Sequence, residues 1–239
     1  MKLFGPLHLA ILGTIAAVAA VLVWFCRRGI LQSRPVQLAL GLALASNELV
    51  WWAYRYSREG LHMWNLPLQL CDAAVWLAVL ACLTAFPAVV EFAWFAGLAG
   101  AGMALLTPDL ISPWPSYPAI YFFAAHGGIV ISMAALVLGG RWKFRRSAVW
   151  RSFVLLLTYA AFVGLIDFAS GSNYMYLAHK PASASPLDRM GAWPWYLVSG
   201  ASAGLILFWL LWLPVRQRGA DAPIPTLAGR GPLEDERRR

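Results

Sequence analysis

Seven apolar runs of about 20 residues limit what this chain can fold into more than any other feature. They cover roughly 7–25, 36–55, 66–84, 88–106, 118–138, 149–169 and 194–214. At about 1.5 Å per residue, a helix of that length spans the ~30 Å hydrocarbon core of a bilayer. In lipid, backbone N–H and C=O groups must pair within the protein, which leaves helices or closed barrels as spanning structures. The runs are too long and too evenly apolar for barrel strands. The composition agrees: 60% of residues are hydrophobic and 13% charged, against about 25% charged in soluble domains. The expected fold is all-α, a polytopic seven-helix transmembrane bundle over residues 1–218. Residues 219–239, rich in Pro and Gly and ending E-D-E-R-R-R, are expected to form a disordered cytoplasmic tail. The first run is too long for a signal peptide and stops at Arg27 and Arg28, so it reads as the first span.

The formal charge of +8 does not imply nucleic-acid binding, because Lys and Arg sit in the connections. Fourteen of the 19 fall in the 1–2 loop, the 5–6 loop and the tail; Lys2, Arg55, Arg58, Lys180 and Arg189 make up the rest. The positive-inside rule then places the N-terminus outside and the C-terminus in the cytoplasm. The R-W-K-F-R-R stretch reads as an orientation signal that also touches anionic lipid. Cys26, Cys71 and Cys82 make no plausible disulfide pair.

Polar residues inside the spans are few, and the topology gathers them at one depth. Ionisable side chains in a bilayer are costly and usually face a bundle interior or a wet cavity. Asn47 and Glu48 fall near the outer end of helix 2; Asn65, Gln69, Cys71 and Asp72 open helix 3. His126 lies in the outer part of helix 5 and Asp167 near the outer end of helix 6. Asp109, Asn173, Tyr174 and Lys180 lie in outer loops. One polar pocket open to the outside is expected. At 100° per residue, Asn65, Gln69, Asp72 and Trp76 would share a stripe, with Cys71 to its side. Cys71 is either a small hydrophobe or a nucleophile, and His126 either a structural hydrogen bonder or its base. Gly127 and Gly128 leave room for a substrate or a neighbouring backbone. Asn47, Glu48, Asp72 and Asp167 either orient the His or knit the helices together. Gln69 or Asn65 could donate to an oxyanion, and Lys180 could attract a lipid phosphate. No Walker loop, dinucleotide fingerprint or close-spaced metal-ligand pair is present, so no cofactor and no metal is expected.

Three stretches carry a resemblance: N-L-P-L-Q-L-C-D, F-F-A-A-H-G-G-I, and the long N-Y-M-Y-L-A-H-K-P-A-S-A-S-P-L-D-R-M-G-A-W-P-W-Y. They resemble the YwaF-like integral membrane proteins, bacterial relatives of transmembrane protein 164. The resemblance implies a multi-pass protein of the bacterial cytoplasmic membrane, acting on membrane lipids. It also implies a Cys/His pair for phospholipid acyl transfer or hydrolysis, mapped here to Cys71 and His126. Gln69 stands where many relatives carry His. Two other functions remain open on the residues alone: a binding or transport protein for a small polar ligand, and a membrane scaffold or sensor.

Overall fold

The computed structural model describes residues 1–110, 112–181 and 185–217; the proposed tail, like Ser183, lies outside them. The described residues form seven helical rods: α1 (Pro6–Arg27), α2 (Ser33–Glu59), α3 (Leu70–Thr84), α4 (Pro87–Leu106), α5 (Tyr117–Gly139), α6 (Arg146–Ser170) and α7 (Trp195–Val215). No strand occurs among them. Single π-helical stretches interrupt α4 at Ala93–Gly97 and end α5 at Ala134–Gly139. Each rod falls within a few residues of an apolar run.

By length and composition, five rods can cross a membrane: α1, α4, α5, α6 and α7. The seven expected helices are present, and these five are the candidate spans by that measure. α2 has 27 residues but carries Arg34, Asn47, Glu48, Arg55, Arg58 and Glu59 along its length. α3 has only 15 residues, starting at Leu70 rather than 66, because Pro67 and the turn before it hold the chain out of helix.

Burial is distributed as a membrane bundle requires. α3 sits in the centre, with Ala74, Val75, Ala78, Val79, Ala81 and Cys82 almost fully buried against α2, α4 and α5. The apolar window of α5 is 67% buried, that of α1 only 11%. Large apolar side chains such as Leu155, Leu165 and Phe168 point outward, Phe168 with 92% of its surface exposed. In water so much exposed apolar surface would drive aggregation; in a bilayer it meets acyl chains.

Small residues let the helices approach. A Cβ on Gly41 of α2 would lie 2.9 Å from the Cys82 Cβ of α3. Gly127 and Gly128 take the sides of Ile15 from α1 and Leu44 from α2, where a Cβ would come within 2.8 and 2.6 Å. The contacts also set direction. α1 runs parallel to α5, since Ile15 meets Gly127 and Cys26 meets Gly139. α2 runs antiparallel to α3 and α5 through Gly41–Cys82 and Leu44–Gly128, so α3 and α5 run parallel.

Polar bonds close the bundle ends. His8 accepts the Phe4 N–H on Nδ1 and donates from Nε2 to Leu105 O at 2.8 Å, tying the start of α1 to the end of α4. At the other end Arg34 donates to Cys82 O and Leu83 O, carbonyls the last turn of α3 leaves unpaired. Trp212 donates to Phe144 O, and Arg151 pairs with Glu91 at 2.7 Å.

Because the atom facing Gly41 is a rigid Cβ, Gly41→Val must push α2 from α3. The expected loss is about 1–3 kcal/mol, as for other overpacked cores, read as a lowered thermal midpoint of the protein in detergent.

Candidate functional site

The stretch ahead of α3 positions everything near Cys71. Residues 60–69 are non-helical, so their backbone groups need partners from elsewhere. Tyr174 supplies two: its hydroxyl donates to Met63 O and accepts the Leu66 N–H, both at 2.7 Å. The Tyr159 hydroxyl from α6 donates to Leu68 O at 3.0 Å, and Ser172 donates to Met63 O. Asn65 is fully buried and closes its own turn, accepting from His62 N–H and donating to Gly60 O, each at 2.8 Å. Gln69 accepts the Met175 N–H at 2.8 Å and serves as the N-cap of α3. Asp72 reaches back to accept the Gln69 N–H at 3.2 Å, as in a capping box. Asn65 and Gln69 therefore do not lie on a helical stripe with Asp72 and Trp76; that expectation fails because the helix has not yet begun at either residue.

Cys71 follows in the first turn of α3. It is a free thiol and partly exposed, whereas Cys26 and Cys82 are buried. Its sulfur lies against the backbone N–H groups of Cys71 and Asp72 at the helix start. Asp72 and Glu48 lie within electrostatic reach of it, as do Tyr121 of α5, Tyr159 of α6 and Tyr176 of the loop before α7. Glu48 is fully buried and accepts the Tyr121 hydroxyl at 2.6 Å. Its other oxygen, the Asn47 amide nitrogen and the Trp76 indole N–H are buried without a partner among the described residues.

His126 is buried on α5. Its Nδ1 lies 2.7 Å from Phe122 O. A carbonyl only accepts, so Nδ1 carries the proton and a neutral ring keeps the lone pair on Nε2. No hydrogen bond joins this ring to the Cys71 sulfur among the described residues. The two do occupy neighbouring rods in the same half of the bundle. A Cβ on Gly97 of α4 would sit 3.5 Å from Ile129 and 4.0 Å from Ala74, residues one turn beyond His126 and Cys71. The space beside Gly127 and Gly128 is occupied by Ile15 and Leu44, so of the two roles expected for it, close helix packing is the one present.

The remaining candidates organise the loop before α7. Asp167 accepts the Tyr174 N–H at 2.8 Å. Asn173 accepts from Ala178 and His179 N–H and donates to His179 O. Asp109 accepts from the Tyr176 hydroxyl at 3.4 Å, and Lys180 lies over the Tyr196 ring. Sequence alone did not reveal Tyr121 or Tyr159, which lie in apolar helices; Tyr121 directly precedes the F-F-A-A-H-G-G-I stretch but lies outside it. A serine-nucleophile spacing, G-A-S-A-G over residues 200–204, also occurs. It lies in mid-α7, where exposed Ser202 donates to Val198 O; a nucleophile elbow needs a strand-to-helix turn.

Outward-facing apolar rods around a central polar cluster define a multi-pass helical membrane protein. The chain belongs to the TMEM164 family, whose family model matches residues 3–213. Among curated proteins and among solved structures, no match is found.

Tyr174→Phe removes the hydroxyl that two backbone groups depend on. The expected cost is about 1–3 kcal/mol, seen as faster hydrogen exchange at residues 63–69. Burial, and for Tyr176 then Asp109, raises both loop phenols, Tyr174 and Tyr176, above the ordinary 10.0. The opened loop then ionises first as pH rises, so protection factors at residues 63–69, which divide out the base catalysis of amide exchange, should fall above about pH 10 and hold steady below it.

Proposed function

We propose that this protein is a lipid acyl-transfer enzyme, with Cys71 as nucleophile and His126 as base, whose site opens to the extracytoplasmic face of a bacterial cytoplasmic membrane. The reading rests on one observation: the partly exposed cysteine sits at a helix start among carboxylates and phenols, while a histidine with a free Nε2 lone pair stands in the same half of an adjacent parallel helix. Family membership adds to it.

The chemistry follows from these groups. His126 Nε2 takes the thiol proton, and the Cys71 sulfur attacks the ester carbonyl of a lipid. The C–O bond breaks as the thioester forms, and the departing alcohol receives the proton from His126. A second alcohol, or water, then gives its proton to His126 and attacks the thioester carbonyl; the C–S bond breaks and the proton returns to the Cys71 sulfur, giving transfer or hydrolysis. Closure of the Cys71–His126 gap on substrate binding fits the general behaviour of catalytic hydrogen bonds, which tighten in the loaded complex. Gln69 is the better candidate for oxyanion donor, because its amide N–H groups make no hydrogen bond among the described residues while Asn65 donates to Gly60 O. Asp72 and Asp167 hold the surrounding turns. The surplus of Lys and Arg at the opposite bundle end supports a cytoplasmic C-terminus.

One observation favours a second reading. Glu48, Asn47 and Trp76 each bury a polar atom without a partner, which suits a site that binds a small polar ligand without chemistry.

Cys71→Ala should abolish acyl turnover by the purified protein in lipid nanodiscs while leaving it folded; Cys26→Ala and Cys82→Ala should retain activity. His126→Gln should slow turnover by about 10²–10⁴. Normal turnover by Cys71→Ala would remove the covalent mechanism, and ligand binding without turnover in every variant would favour the second reading.

A further inference from the structure

A recess lies at the other end of the bundle, away from the thiol. Arg27, Arg141 and Lys143 line a cavity of about 250 Å³, with Leu138, Trp142 and Pro214 among its walls. No carboxylate lines it among the described residues. Each cation is held by a helix-end carbonyl. Arg27 Nε donates to Leu138 O at 2.9 Å, Arg141 Nη2 to Arg27 O at 3.2 Å, and Lys143 Nζ to Pro214 O at 3.2 Å.

Capping these carbonyls explains only part of the charge. The ends of α1, α5 and α7 contribute roughly half a negative charge each, against three full positive charges. The recess keeps a net positive surplus of more than one unit, and each cation retains further N–H donors. The backbone adds a second sign. Arg141 takes a left-handed conformation, φ +57°, although Gly139 and Gly140 directly precede it. Gly140 is needed where it stands, because a Cβ there would meet Leu136 O and the Trp142 ring. The left-handed turn thus falls on an arginine and aims it at the recess.

We propose that this recess binds a phosphate group, presented by an anionic phospholipid headgroup or as free inorganic phosphate. The volume is below the ~300–1,000 Å³ of sites for drug-sized ligands, which fits a headgroup and not a whole lipid. The apolar walls and the flanking, largely unburied rods α1 and α7 give acyl chains a path along the bundle, so the lipid is the favoured source. The site is independent of Cys71 and of its proposed chemistry.

The test is calorimetric titration of delipidated full-length protein in detergent with short-chain phosphatidylglycerol, short-chain phosphatidylcholine and inorganic phosphate. Phosphatidylglycerol should bind at least about tenfold more tightly than either of the others, a difference of about 1.4 kcal/mol. Equal binding of inorganic phosphate and phosphatidylglycerol would support the site with free phosphate as its source. Lys143→Gln and Arg141→Gly should each weaken binding by about tenfold or more; Lys143→Arg and Arg58→Gln should not. Arg141→Gly suits the left-handed turn, so its loss of binding cannot be put down to a strained backbone. Absence of binding by both phosphatidylglycerol and phosphate, or binding untouched by Lys143→Gln and Arg141→Gly, overturns the proposal.

Discussion

The structure depends on satisfying the backbone of residues 60–69. A buried backbone N–H or C=O left without a partner costs free energy, so irregular chain packed onto a helix bundle needs partners from the rest of the protein. This segment is wrapped by hydroxyls. Tyr174 bridges Met63 and Leu66, Tyr159 takes Leu68, and Asn65 and Asp72 close the turns at either side. These donors come from α6, from the connection after it and from the segment itself. The local fold ahead of α3 is therefore a tertiary product, complete only when the last third of the chain is in place.

The same arrangement determines where chemistry can occur. A third helix starting at 66 would have carried Cys71 into its second turn, with its backbone amides paired along the axis. Starting the helix at Leu70 instead turns first-turn amides toward the sulfur, and Tyr159, which braces the preceding turn, stands beside it. The short helix and the candidate nucleophile have one cause.

Much of this was legible in the sequence. Apolar run lengths set the number and order of the rods, because runs too long for barrel strands leave only helices to pair their backbone in lipid. The gathering of Glu48, Cys71, Asp72 and Asp167 in one half of the bundle followed from topology and helical rise. The start of α3 was not legible, since Gln69 is a weak capping residue whose side chain is held by Met175, a partner 106 positions away. Nor did the sequence reveal that Gly127 and Gly128 seat Ile15 and Leu44, because a glycine pair does not say what approaches it. The basic loops gave the charge asymmetry but not the carbonyls they cap. Tyr121 and Tyr159 were invisible for a simpler reason: a tyrosine in an apolar run looks like packing until its hydroxyl finds a carboxylate or a carbonyl.

The shallow seat of α1 has a consequence for biogenesis. Only 11% of its apolar window is enclosed by protein, and the grooves that receive it are cut by Gly127 and Gly139 on α5. α1 is made before α5, its docking partner, which emerges about a hundred residues later. Until then the helix persists in the bilayer without that partner, stable because lipid already satisfies nearly all its surface. Its docking onto α5 is thus decoupled from its insertion.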